Sequence, residues 1–380
     1  MDNLTHTLVG LSAAKAGLER VSPYATAVCM VAANAPDADL LALAGGRWFY
    51  LQHHRGITHS IVGTLALALF VPVIFYAAER FITRARGTTP RIRLRGLVLA
   101  SLVASATHPL LDWTNNYGVR PFLPWSGKWY YGDLVFILDP WLWLALGGAC
   151  FLTTARPGRR LLAWGLLAAV LTVIVVIAPA RAGLPGVTFL GAAWAAGIVL
   201  LAAGYKLRPW ERWGRAIPIA ALALVVAYWG ALAVMHARAL ERATREAAAL
   251  ARLGGETAQS VAALPTLANP SRWVIVFGTE RATHRYNLNL GERHDGDAPP
   301  PRVERFEKLG DEPAGWLARA AQEDYAARVF LDFARFPAAL VEGNCPAETR
   351  LRLADLRFTE PGASRRSGSF ALDIPVRCRP

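Results

Sequence analysis

The chain passes through repeated stretches of about twenty almost uncharged residues, roughly 57–79, 95–111, 135–154, 161–179, 187–205 and 216–235, with a less clean one at 22–44. A bilayer core about 30 Å thick takes about 20 helical residues to cross. Within lipid every backbone N–H and C=O must find a partner inside its own segment, so a run of this kind has one practical fold, the helix. The composition, 54% hydrophobic and 18% charged over 380 residues, excludes an ordinary soluble domain of this length. The expected architecture is an all-α polytopic membrane bundle of six or seven spans, and the frequent Gly and Ala within them suit close helix packing.

The formal charge of +13 is not spread evenly. Basic residues crowd three short connections: Arg80, Arg84, Arg86, Arg91, Arg93 and Arg95; Arg156, Arg159 and Arg160; and Lys206, Arg208, Arg212 and Arg215. Alternate connections carry far fewer, which is the asymmetry that places basic loops in the cytoplasm. A nucleic-acid surface is not expected, because these residues lack the interleaved aromatics of a stacking platform. No cleavable signal peptide is expected either: MDNLTHTLVGLSAAKAGLER has no basic leader and meets a histidine early.

Counting outward from the basic loops, the chain leaves the last span on the extracytoplasmic side, so residues 1–237 read as the membrane domain and 238–380 as an extracytoplasmic domain. The latter begins with a charged helical stretch, ERATREAAALARLGGE. Alternating NPSRWVIVFGTERATHRYNLNL, helical PAGWLARAAQEDYAARVFLDFARF and strand-like LRLADLRF and SFALDIPVRC then predict a soluble α+β fold. The cysteines, Cys29, Cys150, Cys345 and Cys378, have no CxxC spacing. The first two read as packing residues, and the last two are close enough to the exterior to form a disulfide if they meet.

The N-terminus predicts a helical hairpin of residues 4–18 and 22–44, turning near Arg20. Its short first arm is a half-helix rather than a span. At 1.5 Å per residue, His6 and Asp37 return to similar depth, the level at which HHRGITHS opens the next span and THPLLDW closes the one after. His6; Asp37 and Asp39; His53, His54 and His59; and His108 with Asp112 therefore converge on one side of the membrane. His108 and Asp112, four apart, share a helix face, with Pro109 expected to mark the helix start. Pro36 breaks the second arm where the aspartates occur. In HRGITH, Gly56 lets the chain bend and His59 is expected to open a helix. Ionisable groups in or beside spans are costly, and four such clusters at one level point to a common site. Imidazole and carboxylate without thiolate suit zinc, manganese or iron. Further along, DWTNNYGVRPFLPWSGKWYYGDLVFILDPW reads as an interfacial aromatic belt. Asp139 within it is expected to be either another ligand or a hydrogen-bond partner that orients a ligating histidine.

NLTHTLVG, ANAPDADLL, HHRGITHS, THPLLDWTNNYGVRPFLPW and the DPW stretch resemble the YdjM-like bacterial inner-membrane proteins, DNA-damage-inducible in some bacteria and described as membrane-bound metal-dependent hydrolases. More weakly, the ordered set TH, PDxD, HRxxTH and HxxxD is similar to that of the zinc-dependent phospholipases C. The resemblance covers about the first 150 residues. It implies His6, Asp37, His54, His59, His108 and Asp112 as ligands of one or two divalent ions, zinc first and manganese as the alternative. Asp39 is implied as a ligand or a partner of one.

The implied chemistry is attack of an activated water on an ester or phosphoester of a lipid or lipid-linked substrate at the outer leaflet. Asp39 or His53 would take the proton, and Arg55 and Arg120 would hold the substrate's anion. Expected partners are therefore membrane lipids, and the expected place is the inner membrane with the site and the C-terminal domain outside. A rival class is a non-catalytic metal-binding or transport protein. Transport predicts polar residues continuing through the later spans and internal repeats, and neither is seen. A third reading is a metal-stabilised anchor for the C-terminal domain.

Overall fold

A computed structural model describes residues 1–183, 186–292, 302–308, 317, 320–343, 349–362 and 370–376. Cys345 and Cys378 lie outside these residues, as does His294. The chain forms two units: Met1–Ala38, Arg55–Leu232 and Leu267–Asn269 make the first, and Asp39–His54, Ala233–Thr266 and Pro270–Pro380 the second. The segment 39–54 thus belongs with the C-terminal residues rather than with the helices that flank it.

The first unit is helical. Helix α1 (Asn3–Ala16) starts on Asp2, whose carboxylate accepts from the Thr5 amide at 3.0 Å, and stops at Gly17 with φ +151°. After a turn at Leu18–Arg20, α2 (Ala25–Asn34) runs into Pro36 and tightens into a 3-10 stretch, Ala35–Gly45. This is the expected hairpin. Helix α3 (Arg47–His53) lies in the second unit. Helices α4 (Ile61–Ala85), α5 (Leu94–Trp113), α6 (Pro140–Thr154), α7 (Arg159–Arg181), α8 (Val187–Lys206) and α9 (Ala216–Leu253) follow. Among the described residues, six helices, counting Ala25–Gly45 and excluding the shorter α6, are long and apolar enough to cross a membrane.

Two expectations about helix boundaries are corrected. Pro109 lies inside α5 rather than at its start, as membrane helices tolerate where the freed carbonyl can find another partner. His59 does not open a helix. It ends a 3-10 turn, Ile57–His59, and Ser60 caps α4 by accepting from the Gly63 amide at 3.1 Å. The turn folds so tightly onto α4 that a Cβ at Gly63 would lie 1.8 Å from the Ile57 carbonyl oxygen.

Small residues set how closely the site-bearing helices meet. A Cβ at Gly10 would lie 2.6 Å from the Cys29 carbonyl oxygen. Ala14, Ala25, Ala32, Ala33, Ala100 and Ala104 are all buried in one cluster with Cys29, so α1, α2 and α5 approach nearly backbone to backbone. Cys29 and Cys150 are buried free thiols, as their apolar surroundings implied.

In the second unit, α9 presents Ala239, Ala243 and Ala247, spaced one turn apart, to Trp273, Ile275, Phe277, Tyr286 and Leu288. These lie on an antiparallel sheet ordered β1-β2-β3-β4, with β1 at Ser260–Thr266, β2 at Asn269–Gly278, β3 at Ala282–Asn289 and β4 at Glu304–Glu307. Helix α10 (Tyr325–Phe333) precedes a second sheet of β5 (Pro337–Glu342), β6 (Thr349–Asp355) and β7 (Ala371–Val376). The α+β expectation holds. The charged stretch after 238 proves to be the continuation of α9, because a charged outer face and an alanine inner face belong to the same helix. Strands β1, β4 and β5 were not foreseen, since SVAALPT and PAALVE alternate only weakly and ERFE is only four residues long.

Candidate metal centre

Four side chains from three separate pieces of the first unit meet. Asp37 comes from the 3-10 stretch after α2, His59 from the turn before α4, and His108 and Asp112 from successive turns of α5. The two histidines and Asp112 are essentially sealed, at 0%, 0% and 1% exposure, and Asp37 is 15% exposed. His59 Nε2 lies 3.1 Å from His108 Nε2. Asp37 Oδ1 is 3.4 Å and 3.5 Å from these two nitrogens, and Asp112 Oδ2 is 3.3 Å and 3.5 Å from them. All four candidate ligand atoms fall within 4.8 Å of one another. The corners of a regular tetrahedron with an edge of about 3.3 Å stand about 2.0 Å from its centre, the length of zinc–imidazole and zinc–carboxylate bonds.

Hydrogen bonding on the far side of each ring supports that fit. His108 Nδ1 is 2.6 Å from the carbonyl oxygen of Ala33, which can only accept, so Nδ1 carries the proton and Nε2 offers a lone pair inward. His59 Nδ1 is 3.0 Å from the Thr58 hydroxyl. Asp112 Oδ2 is buried without a hydrogen-bond partner. Carboxylate oxygens and inward-facing imidazole nitrogens at this spacing repel one another unless a cation lies among them. The donor set therefore fits a divalent metal.

Asp112 is held from behind by Arg55, 2% exposed, whose Nη2 lies 3.1 Å from Oδ1. Arg55 Nη1 donates to the Asp112 and Gly118 carbonyls at 3.2 Å each and to Asn115 Oδ1 at 3.0 Å. Its guanidinium carbon stands 4.6 Å from the Tyr117 ring centroid, and its φ is +51°, a strained conformation for a branched-head side chain. The Met1 amino group also contacts Asp112 Oδ1. His6, fully buried, stacks on His108 with ring centroids 3.8 Å apart, and its Nε2 is 3.3 Å from Asp112 Oδ1.

Of the residues the sequence proposed, Asp37, His59, His108 and Asp112 are thus brought together, and His6 lies beside them. Arg55, expected to hold a substrate anion, instead positions Asp112. His54 and Asp39 pair with each other in the second unit, Nδ1 to Oδ1 at 3.0 Å. His53 is exposed, bonded through Nδ1 to the Phe49 carbonyl at 2.8 Å and packed on the Phe49 ring. Arg120 is nearly buried with its guanidinium carbon 4.5 Å from the Trp129 ring centroid.

Asp139 has a structural task. Its Oδ1 caps α6 by accepting from the Trp141 and Leu142 amides at 2.8 and 3.3 Å, and its Oδ2 accepts from the Tyr228 hydroxyl at 3.0 Å. An Asp immediately before a Pro-initiated helix is a cap signal that sequence offers directly, and that reading replaces the metal one. The role of Asn115, whose Oδ1 serves Arg55 and the Tyr117 amide at 2.9 Å, had no sequence signal beyond polarity.

Residues 1–183 match the family model described as YdjM inner membrane protein. A Bacillus subtilis protein, "Uncharacterized protein YfhP", is 28% identical over 155 residues, which are 38% of this chain and 44% of that protein. The chain therefore spans less than half the length of this curated relative. No solved structure matches.

Proposed function

We propose, from the premise that residues 1–183 belong to the YdjM-like family of inner membrane proteins, that the chain is a membrane-embedded metal-dependent hydrolase. Its substrate class is an ester or phosphoester of a lipid or lipid-linked molecule at the outer leaflet. The observation that carries this reading is the convergence of four ligand atoms, in which His59 Nε2 and His108 Nε2 each lie 3.1–3.5 Å from the other and from Asp37 Oδ1 and Asp112 Oδ2. These four would hold the ion. A bound divalent metal, zinc or manganese, supplies Lewis acidity, lowering the pKa of a water toward neutrality and polarising a phosphoryl or carbonyl oxygen.

The protein's own groups divide the remaining work. His108 is kept in one tautomer by Ala33, and Arg55 fixes Asp112 and balances its charge. Asp37, the exposed member of the four, is the one that substrate and water can approach, and its second oxygen is the acceptor for the water's proton. Helices α7 and α8 contain no Asp, Glu or His and add Leu171, Val175, Leu190 and Trp194 to the apolar core. This favours a site at one face of the membrane over a pathway through it. One observation favours a second reading, non-catalytic metal binding: four protein donors are the number that closes a structural zinc site.

Metal content of the detergent-purified protein by mass spectrometry, beside His59→Ala and Asp112→Ala, tests the common premise. About one zinc or manganese per chain, lost in both variants, is the expected result. A wild type that holds no metal and rebinds none overturns both readings. Hydrolysis of lipid phosphoesters by the loaded wild type and not by the variants then selects catalysis, and its absence across such substrates selects binding alone.

A further inference from the structure

The basic helix ends of the first unit carry a cavity of about 400 Å³ lined by Leu11, Lys15, Thr26, Thr154, Arg160, Ala163, Trp164 and Leu167. It is formed where α1 ends, α2 begins, α6 ends and α7 begins. Along α1, Lys15 stands 9 residues beyond His6, about 13 Å at the helical rise, so this cavity is separate from the metal centre.

Its lining is graded. Lys15 and Arg160 sit at the helix ends, beside Arg156 and Arg159 in the same connection. Leu11, one turn deeper on α1, and Ala163, Trp164 and Leu167, progressively deeper on α7, form an apolar wall. The Trp164 indole N–H is used by Thr154 Oγ1 at 3.1 Å, so the ring offers only its apolar surface to the cavity. Arg160 is exposed and makes no hydrogen bond or ion pair among the described residues. Among the described residues Lys15 reaches only Glu19, at 2.7 Å, in the turn that follows its helix.

Two cations at the mouth of an apolar slot, at the membrane face where the arginines gather, match a molecule with a phosphate at one end and acyl chains at the other. We infer that this cavity binds an anionic glycerophospholipid of the surrounding bilayer, with its phosphate between Lys15 and Arg160 and an acyl chain along Leu11, Trp164 and Leu167. A basic pocket between helices on the cytoplasmic side is the physical form such recognition takes.

Native mass spectrometry of the full-length protein, titrated with phosphatidylglycerol, phosphatidylcholine or inorganic phosphate, tests this. Arg160→Gln breaks no bond among the described residues, and Lys15→Gln removes only a surface pair, so both variants should fold. Unchanged metal content and melting temperature verify that. The wild type should retain phosphatidylglycerol in preference to phosphatidylcholine. Each substitution should weaken that retention about fivefold, and the double variant should bind the two lipids alike. Equal binding of both lipids by the wild type, unchanged preference in the double variant, or inorganic phosphate displacing phosphatidylglycerol at equal concentration would each overturn the assignment.

Discussion

Both units bury charge, and they satisfy it in opposite ways. In the second, Arg357 and Asp355 are wholly buried, and the pair closes on itself. Asp355 Oδ2 receives Arg357 Nε at 2.9 Å and the Arg335 amide at 3.2 Å, Oδ1 receives the Arg357 amide at 3.1 Å, and Arg357 Nη2 donates to the Phe333 carbonyl at 2.9 Å. Every acceptor there meets a donor. In the first unit the equally buried His59 and His108 face each other through Nε2 at 3.1 Å, and Asp112 Oδ2, turned toward both, has no hydrogen-bond partner. Burial alone therefore does not mark a functional site. What separates a structural ion pair from a metal centre is whether the buried donors and acceptors balance.

The largest effect that would sharpen this contrast lies in the second unit. Asp355→Ala strands a buried guanidinium and should cost about 3–5 kcal/mol, seen as early loss of hydrogen-exchange protection in β6. Replacing both partners by apolar residues should restore much of it. A metal chelator should leave that protection unchanged, and a chelator effect as large as the Asp355→Ala effect would break the comparison. In the first unit, Arg55→Lys keeps the charge and loses the fork, and should weaken metal affinity about 10–100-fold in competition with a coloured chelator.

Gly10→Ala should cost about 1–3 kcal/mol in the thermal melt, because the added methyl meets the Cys29 carbonyl. If it is neutral, α1 and α2 are not held as closely as the site requires. The smallest effect is one of pH. The Thr279 hydroxyl, with the Arg281 amide and Arg305, holds the Glu256 carboxyl down to about 2 from an ordinary 4.5. A carboxyl depressed on folding stabilises fully above its unfolded pKa and loses that contribution as pH falls toward the folded one. Exchange protection of β2 and β3 should thus decline between about pH 4.5 and 2, and decline less in Thr279→Val.

Much of this was legible in the chain itself. Spans of about twenty apolar residues dictate helices because lipid offers the backbone no partner. Each motif, PDxD, HRGITH and HPLLD, carries one or two members of the candidate metal cluster, and residues 1–183 match the YdjM family model. The hairpin turn near Arg20 and the strands at NPSRWVIVFG and ATHRYNLN were also local readings, since Gly17, Pro36 and period-two alternation act over a few residues.

What local pattern did not distinguish was which polar residue of each motif does what. His53, His54 and His59 are chemically the same; their backbones send His53 to Phe49, His54 to Asp39 and His59 to His108. Arg55 became a clamp rather than a substrate ligand because its partner, Asp112, lies 57 residues away in the chain, whereas the Asp139 cap on Trp141 and Leu142 is a local signal. The sequence determined the helices, the residue types that suit a metal and the membrane setting, which depend on interactions within a segment. Tertiary structure alone decided the candidate ligand set, because coordination depends on the separation of atoms that distant segments bring within a few ångströms.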